Sequence, residues 1–129
     1  MGLDNGFILK NVDKATIPKF IWYDDTYMKE NEIVLIYWRK CWGLREAVMN
    51  VLHMSDTDGE KQVEAEDIPA ILRKLYPFLS KEYWEDNADS IWTFDEKIDS
   101  FIQDILNLKW LEEYMQDHPE ITCYFYDSY

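Results

Sequence analysis

At 129 residues, with 47% apolar, 16% aromatic and 30% charged side chains, the chain has the composition of one folded domain, 1–129, and not of a disordered or fibrous segment. A formal charge of −13 repels the phosphate backbone, so direct binding of DNA or RNA is not expected. The longest uncharged apolar run, Ile33 to Trp38, is too short to span a bilayer, and no signal-peptide pattern opens the chain. Cys41 and Cys123 fit no metal or redox spacing and read as buried free thiols of a cytoplasmic protein.

The charge is unevenly spread. Residues 1–79 carry 13 acids against 10 bases, whereas residues 80–129 carry 13 acids against Lys81, Lys97 and Lys109 alone. The second part is an acidic surface. It either keeps the chain soluble or attracts a basic partner, including a nucleic-acid-binding protein whose groove it would occupy.

In chain order, Asp4-Asn5-Gly6 reads as a turn and Phe7 to Val12 as a short strand. Residues 13–31 are irregular. Ile17-Pro18 forces an extended dipeptide, and Phe20-Ile21-Trp22-Tyr23 is expected to lie on the core. Glu32 to Tyr37 is a β-branched strand that enters a helix from Trp38 to His53, whose apolar stripe is Cys41, Leu44, Val48 and Val51 or Leu52. Gly43 inside that helix costs about 1 kcal/mol relative to Ala, and a close backbone approach would explain it. Residues 55–61 form an acidic loop that lacks the ligand spacing of a calcium site. Gln62 to Ala65 is a short strand. A second helix follows, with Pro69 in its first turn and Ile68, Ile71, Leu72, Leu75 and Leu79 on its apolar face, ended by Pro77. Residues 80–90 read as a polar connection.

Thr93-Phe94-Asp95-Glu96 is a capping box opening a long helix to about Gln116. Its apolar positions make two stripes. One is Ile98, Phe101, Ile105, Leu108, Leu111 and Met115; the other is Ile102, Leu106, Trp110 and Tyr114. The stripes diverge along the helix, so Trp110 and Tyr114 need a second element, a partner chain or solvent, and a homodimer through them is one expectation. Ile121 to Tyr126 alternates as a half-buried strand. The predicted fold is α+β: about three helices packed on a small antiparallel sheet that includes both chain termini.

Met1-Gly2-Leu3-Asp4, Tyr37-Trp38-Arg39-Lys40 and Tyr126-Asp127-Ser128-Tyr129, in this order and spacing, resemble a family of small phage and prophage proteins to which no activity is attached. Trp42 and Arg45 stand where that family carries Asn and His, so no chemistry of those two residues carries over. The resemblance implies a bacterial host cell and an accessory protein that acts by binding.

The block Tyr37 to Arg45 gathers three aromatics and three cations. Tyr37, Trp38, Arg39, Lys40 and Arg45 are candidates for binding a small anionic or nucleotide-like ligand, with Arg as a planar fork and the aromatics as stacking faces. Alternatively they are core, with Arg39 paired to Asp4 as a structural tie between the chain ends, or a protein contact. No nucleophile–base pair, paired carboxylates or phosphate-binding glycine loop appears; no catalytic residue, metal or cofactor is expected, and an enzyme of unknown reaction is the remotest reading. The leading expectation is a non-enzymatic phage-type protein, an inhibitor or nucleic-acid mimic, that binds a basic host protein through Asp95, Asp99, Asp104, Trp110 and Tyr114.

Overall fold

The computed structural model describes residues 3–128; Met1, Gly2 and Tyr129, the outer ends of two of the sequence motifs, lie outside them. The elements run β1 (Asp4–Lys10), β2 (Glu32–Arg39), α1 (Trp42–Leu52), β3 (Glu60–Val63), α2 (Ile68–Leu75), α3 (Lys81–Asn87), α4 (Phe94–Asp117) and β4 (Thr122–Ser128). The strands form an antiparallel sheet in the order β2-β1-β4-β3. The fold is therefore α+β, with four helices on a four-stranded sheet. The strands nearest the two ends of the chain lie side by side, with Asp4 opposite Ser128.

Period-two alternation sends Phe7, Leu9, Ile36, Trp38, Cys123 and Phe125 to one face, where all are essentially fully buried. They share a core with Leu44 and Val48 of α1, Ile71 and Leu75 of α2, and Phe101 and Leu108 of α4. Phe7, Trp38 and Phe125 form its centre, with ring centroids 5.1 to 6.4 Å apart. Side chains of this size each stabilise the fold by about 1.5–3 kcal/mol on burial. The opposite face carries Gly6, Ile8, Tyr37, Tyr124 and Tyr126, and it is partly open.

The expected helix from Trp38 is corrected. The chain stays extended through Arg39, paired opposite Asp4, because the β-branched run completes its ladder with β1. Lys40 then takes a left-handed conformation at φ 51°, which breaks the strand, and α1 starts at Trp42. The predicted stripe of Cys41, Leu44, Val48 and Leu52 is buried. A bulge lies between Phe7 and Ile8: Ile36 opposes Phe7 and Val34 opposes Ile8, leaving Leu35 as the extra residue.

Gly43 is where the close approach occurs. Its N–H donates to Ala88 O at 2.7 Å, and a Cβ at this position would stand 2.2 Å from Asn87 O. Helix propensity alone favours Ala by about 1 kcal/mol; the clash reverses the sign. Gly43→Ala should destabilise the protein by about 2 kcal/mol in urea denaturation, and a stabilised variant would show that the α1–α3 contact is loose.

Two further expectations change. Residues 80–90 contain α3, which is capped by the Ser80 side chain accepting from Tyr83 N. The helix is held by Trp84, buried 5.7 to 6.3 Å from the rings of Phe78, Phe94 and Phe101. At seven residues it is too short to show a periodic stripe. The aromatics of 20–27 do not lie on the core: Ile21 is buried, but Phe20, Trp22, Tyr23 and Tyr27 are exposed.

The capping box forms as predicted, with Thr93 and Glu96 each accepting the other's backbone N–H. Along α4 the second stripe divides. Ile102 and Leu106 are exposed, whereas Tyr114 is buried. Tyr114 is stacked between Trp110 and His118 at 4.4 and 4.2 Å, and its hydroxyl shares a hydrogen bond with that of Thr16 in the 3-10 turn Lys14–Thr16. Tyr114 is therefore covered in part by the chain's own N-terminal segment, and Trp110 lies half-buried against the core.

Candidate functional site: an aromatic and acidic cleft at a free strand edge

The Tyr37–Arg45 block does not form one site. Alternation on β2 points Tyr37 and Arg39 to the open face and Trp38 into the core. The Tyr37 hydroxyl donates to Asp4 Oδ1 at 2.7 Å, and this bond, with some burial, raises the phenol's pKa. Arg39 and Asp4 oppose each other in register, yet among the described residues no ion pair joins them. Lys40 is fixed by its backbone: its N–H donates to Leu3 O and its carbonyl accepts from Ile91 N.

Arg45 is buried on α1. Its Nε and Nη2 donate to Asp127 Oδ1 and Oδ2, both at 2.8 Å, and Nη2 also donates to Asp56 Oδ1 at 3.0 Å. Asn5 Nδ2 donates to Asp127 Oδ1 at 2.6 Å, and the guanidinium lies 5.6 Å from the Trp42 ring centroid. The tie between the chain ends is thus Arg45–Asp127 with Asn5, in place of the expected Asp4–Arg39. The five residues proposed for an anionic ligand do not converge: Trp38 is core and the Arg45 fork already holds a carboxylate.

The acidic candidates also separate. Asp95 and Asp99 are exposed on α4, and Asp95 pairs with Lys81 at 3.1 Å. Asp104 faces inward from α4 and accepts the Trp38 indole N–H at 2.9 Å. Burial pushes its carboxyl up to about 7, against the weaker downward pull of the Trp38 bond and the Lys97 charge.

Asp104 lies in a cleft of about 600 Å³. Its floor is the outer edge of β2 from Val34 to Tyr37, and its helical wall is Ser100, Gln103, Asp104 and Asn107 of α4. The third side is the loop carrying Trp22, Tyr23, Asp24 and Tyr27, with Tyr126 at the open face of the sheet. Trp22 is 69% and Tyr27 98% exposed, so these rings have almost no cover. Among the described residues none lining the cleft is cationic. Two polar side chains place the loop. Asn107 Nδ2 donates to Trp22 O at 2.9 Å and Leu35 O at 3.1 Å, and Gln103 Nε2 donates to Phe20 O at 2.9 Å and Asn107 Oδ1 at 2.8 Å. On the open face Tyr126 crosses Gly6, where a Cβ would meet its ring at 2.8 Å and Ile36 O at 2.2 Å. Tyr126 thus comes close to Tyr37, and burial, with the Tyr37 and Asp4 charges adding, raises its hydroxyl to about 12.

Strand pairing leaves this edge of β2 open. Two isolated bridges cap it, Asp24 with Val34 and Cys41 with Ser90. Between them, among the described residues, 36–39 have no strand on the outer side. Lys40 N donates inward to Leu3 O, and Val34 exchanges both backbone bonds outward with Asp24. With the bulge at Leu35, antiparallel alternation then turns the N–H and C=O of Tyr37 and Arg39 outward.

Sequence reasoning assigned Trp22 and Tyr23 to the core and did not single out Tyr27, Gln103 or Asn107. The available signal was the spacing of Ser100, Gln103, Asp104 and Asn107 at i, i+3, i+4 and i+7, a polar stripe on an otherwise amphipathic helix. No family model, curated protein or solved structure matches the chain. No helix among the described residues is long and apolar enough to cross a membrane.

Proposed function

We propose that this chain is a non-enzymatic binding protein that takes a basic segment of a partner protein on its acidic surface, with the β2 cleft as the point of contact. One observation carries this reading: a concave site walled by Trp22, Tyr23, Tyr27 and Tyr37, lined by the carboxyls of Asp24 and Asp104 and, among the described residues, by no cation. Aromatic faces attract Lys and Arg side chains through their ring quadrupoles. The part-buried Asp104 carboxylate, with the exposed Asp24 at the rim, supplies the matching charge. The net charge of −13 would speed the encounter with a cationic partner and reject nucleic acid. A phage-type accessory protein acting on a host protein in the bacterial cytoplasm fits this chemistry.

The test is calorimetric titration with a lysine-rich peptide at low and physiological salt, with a glutamate-rich peptide as control. Binding should be selective for the basic peptide and weaken about tenfold with salt. The double substitution Trp22→Ala, Tyr27→Ala should weaken it a further 3- to 30-fold without loss of fold, because both rings are exposed. Equal binding of the two peptides, or affinity untouched by removing the rings, would refute the proposal.

A further inference from the structure

We infer that the cleft receives its basic partner as an extended strand, added antiparallel to the free edge of β2 at Tyr37 and Arg39, with a lysine or arginine side chain opposite Trp38 reaching Asp104. The inference rests on the binding function proposed above and specifies how it is carried out.

Three features of the structure converge on this mode. The first is the edge itself. β2 is an outermost strand, and the isolated bridges at Val34 and Cys41 leave a gap of about one short strand. Tyr37 and Arg39 offer two N–H donors and two C=O acceptors there, the groups by which an incoming segment is bound in strand addition. The second is the side-chain register. In an antiparallel pair, directly opposed residues point to the same face. A partner residue opposite Trp38 therefore points toward α4, where Asp104 Oδ2 already lies 2.9 Å from the Trp38 indole nitrogen. Its neighbours, opposite Tyr37 and Arg39, point to the open face beside the Tyr37 ring. The third is charge. Asp104 and Asp24 are the charged groups that line the cleft. Lys97, the cation that acts on Asp104, has its Nζ 5.5 Å from the Trp92 ring centroid, which leaves the cleft side of the carboxyl for a partner's cation.

The occupant is thus an extended segment with cationic residues at alternate positions, apolar ones between them, and backbone N–H groups on the apolar residues facing β2. That parity gives a direct test with the full chain. The probe is a capped decapeptide of alternating lysine and valine, titrated by calorimetry at pH 8. Two analogues carry N-methyl groups on the valines or on the lysines. Methylated valines should lower affinity at least tenfold, whereas methylated lysines should change it less than threefold. Asp104→Asn should weaken the parent peptide by roughly five- to tenfold. The open edge could instead pair with a second copy of this chain, and sedimentation equilibrium would then show a dimer that Tyr37→Pro dissociates.

Equal tolerance of both methylation patterns, a selective loss on the lysines, no effect of Asp104→Asn, or such a dimer would each overturn strand addition by a basic segment. If the lysine-rich peptide of the previous section binds and the alternating peptide does not, this inference fails while the broader binding function stands. If neither binds, both fail.

Discussion

Asp127→Ala should cost about 3–5 kcal/mol of folding stability and lower Tm by roughly 10–20 °C. The side chain of Asp127 is fully buried and that of Arg45 nearly so, at 0% and 5% exposure. The guanidinium forks both carboxylate oxygens at 2.8 Å. Removing the carboxylate takes the forked acceptor from a buried cation, and the Asp56 carboxylate that also accepts from it belongs to an exposed residue. Part of the guanidinium's desolvation cost then loses its compensation. Asn5 loses its acceptor as well. The interaction joins α1 to the two central strands, so its loss loosens the closure of the sheet as well as one contact. Replacing both partners, Arg45→Met with Asp127→Leu, should recover most of the loss, because a buried ion pair exchanged for apolar side chains of similar volume is close to neutral. Urea denaturation of the two variants beside the parent protein tests this. A cost below about 1 kcal/mol for Asp127→Ala would show that water reaches the guanidinium.

Asp104→Asn should stabilise the protein at pH 8, by about 1–3 kcal/mol, and have little effect near pH 4. The sign follows from the carboxyl's pKa, raised by burial to about 7 from an unfolded value near 4. Below pH 4 both folded and unfolded chains hold the proton. Between pH 4 and 7 the folded chain holds it and the unfolded chain does not, so stability falls as pH rises, and above pH 7 the full cost of a buried carboxylate is present. Asparagine keeps an oxygen to accept the Trp38 N–H and carries no charge, so the slope disappears. The shift of about three units corresponds to roughly 4 kcal/mol, reduced by the stronger bond a carboxylate makes to Trp38 and by water in the cleft. Thermal denaturation of both proteins from pH 4 to 8 reads the difference; parallel profiles would show that Asp104 ionises freely when folded. By the same linkage, a cation beside Asp104 stabilises its carboxylate, so peptide affinity should increase from pH 6 to 8.

Local signals carried part of this structure. Thr93 and Glu96 cap α4 because the reciprocal bonds span three residues of one chain segment. Of the predicted stripe, Ile68, Ile71, Leu72 and Leu75 are buried because their spacing matches the helical repeat, whereas Leu79, beyond the end of α2, is exposed. Gly43 announced a close approach without naming Asn87 and Ala88 as the neighbours. The error at Trp38 has a definite cause. The run 38–41 supports a helix as well as a strand, and pairing with Asp4 and Asn5, more than thirty residues away, decides between them.

The candidate site was less legible still. Composition marked the chain as acidic and aromatic, and Tyr37 and Asp104 were both singled out, but for different sites. Trp22 and Tyr23 read as core because an apolar run in a loop normally packs inward. The loop is fixed instead by Gln103 and Asn107, which bond the backbone carbonyls of Phe20 and Trp22 from 83 and 85 residues away. Likewise Arg45 finds Asp127 across 82 residues.

The sequence by itself determined the α+β class, the two terminal strands of one sheet, the cap of α4 and the acidity of the surface, all consequences of short-range periodicity or composition. Tertiary structure alone decided where β2 ends, which carboxylate holds Arg45, that Tyr114 is covered by the turn at Thr16, and that an open strand edge meets aromatic rings and Asp104 in one cleft. Those features depend on which distant segments meet, and that is settled by the packing of the whole core around Phe7, Trp38 and Phe125.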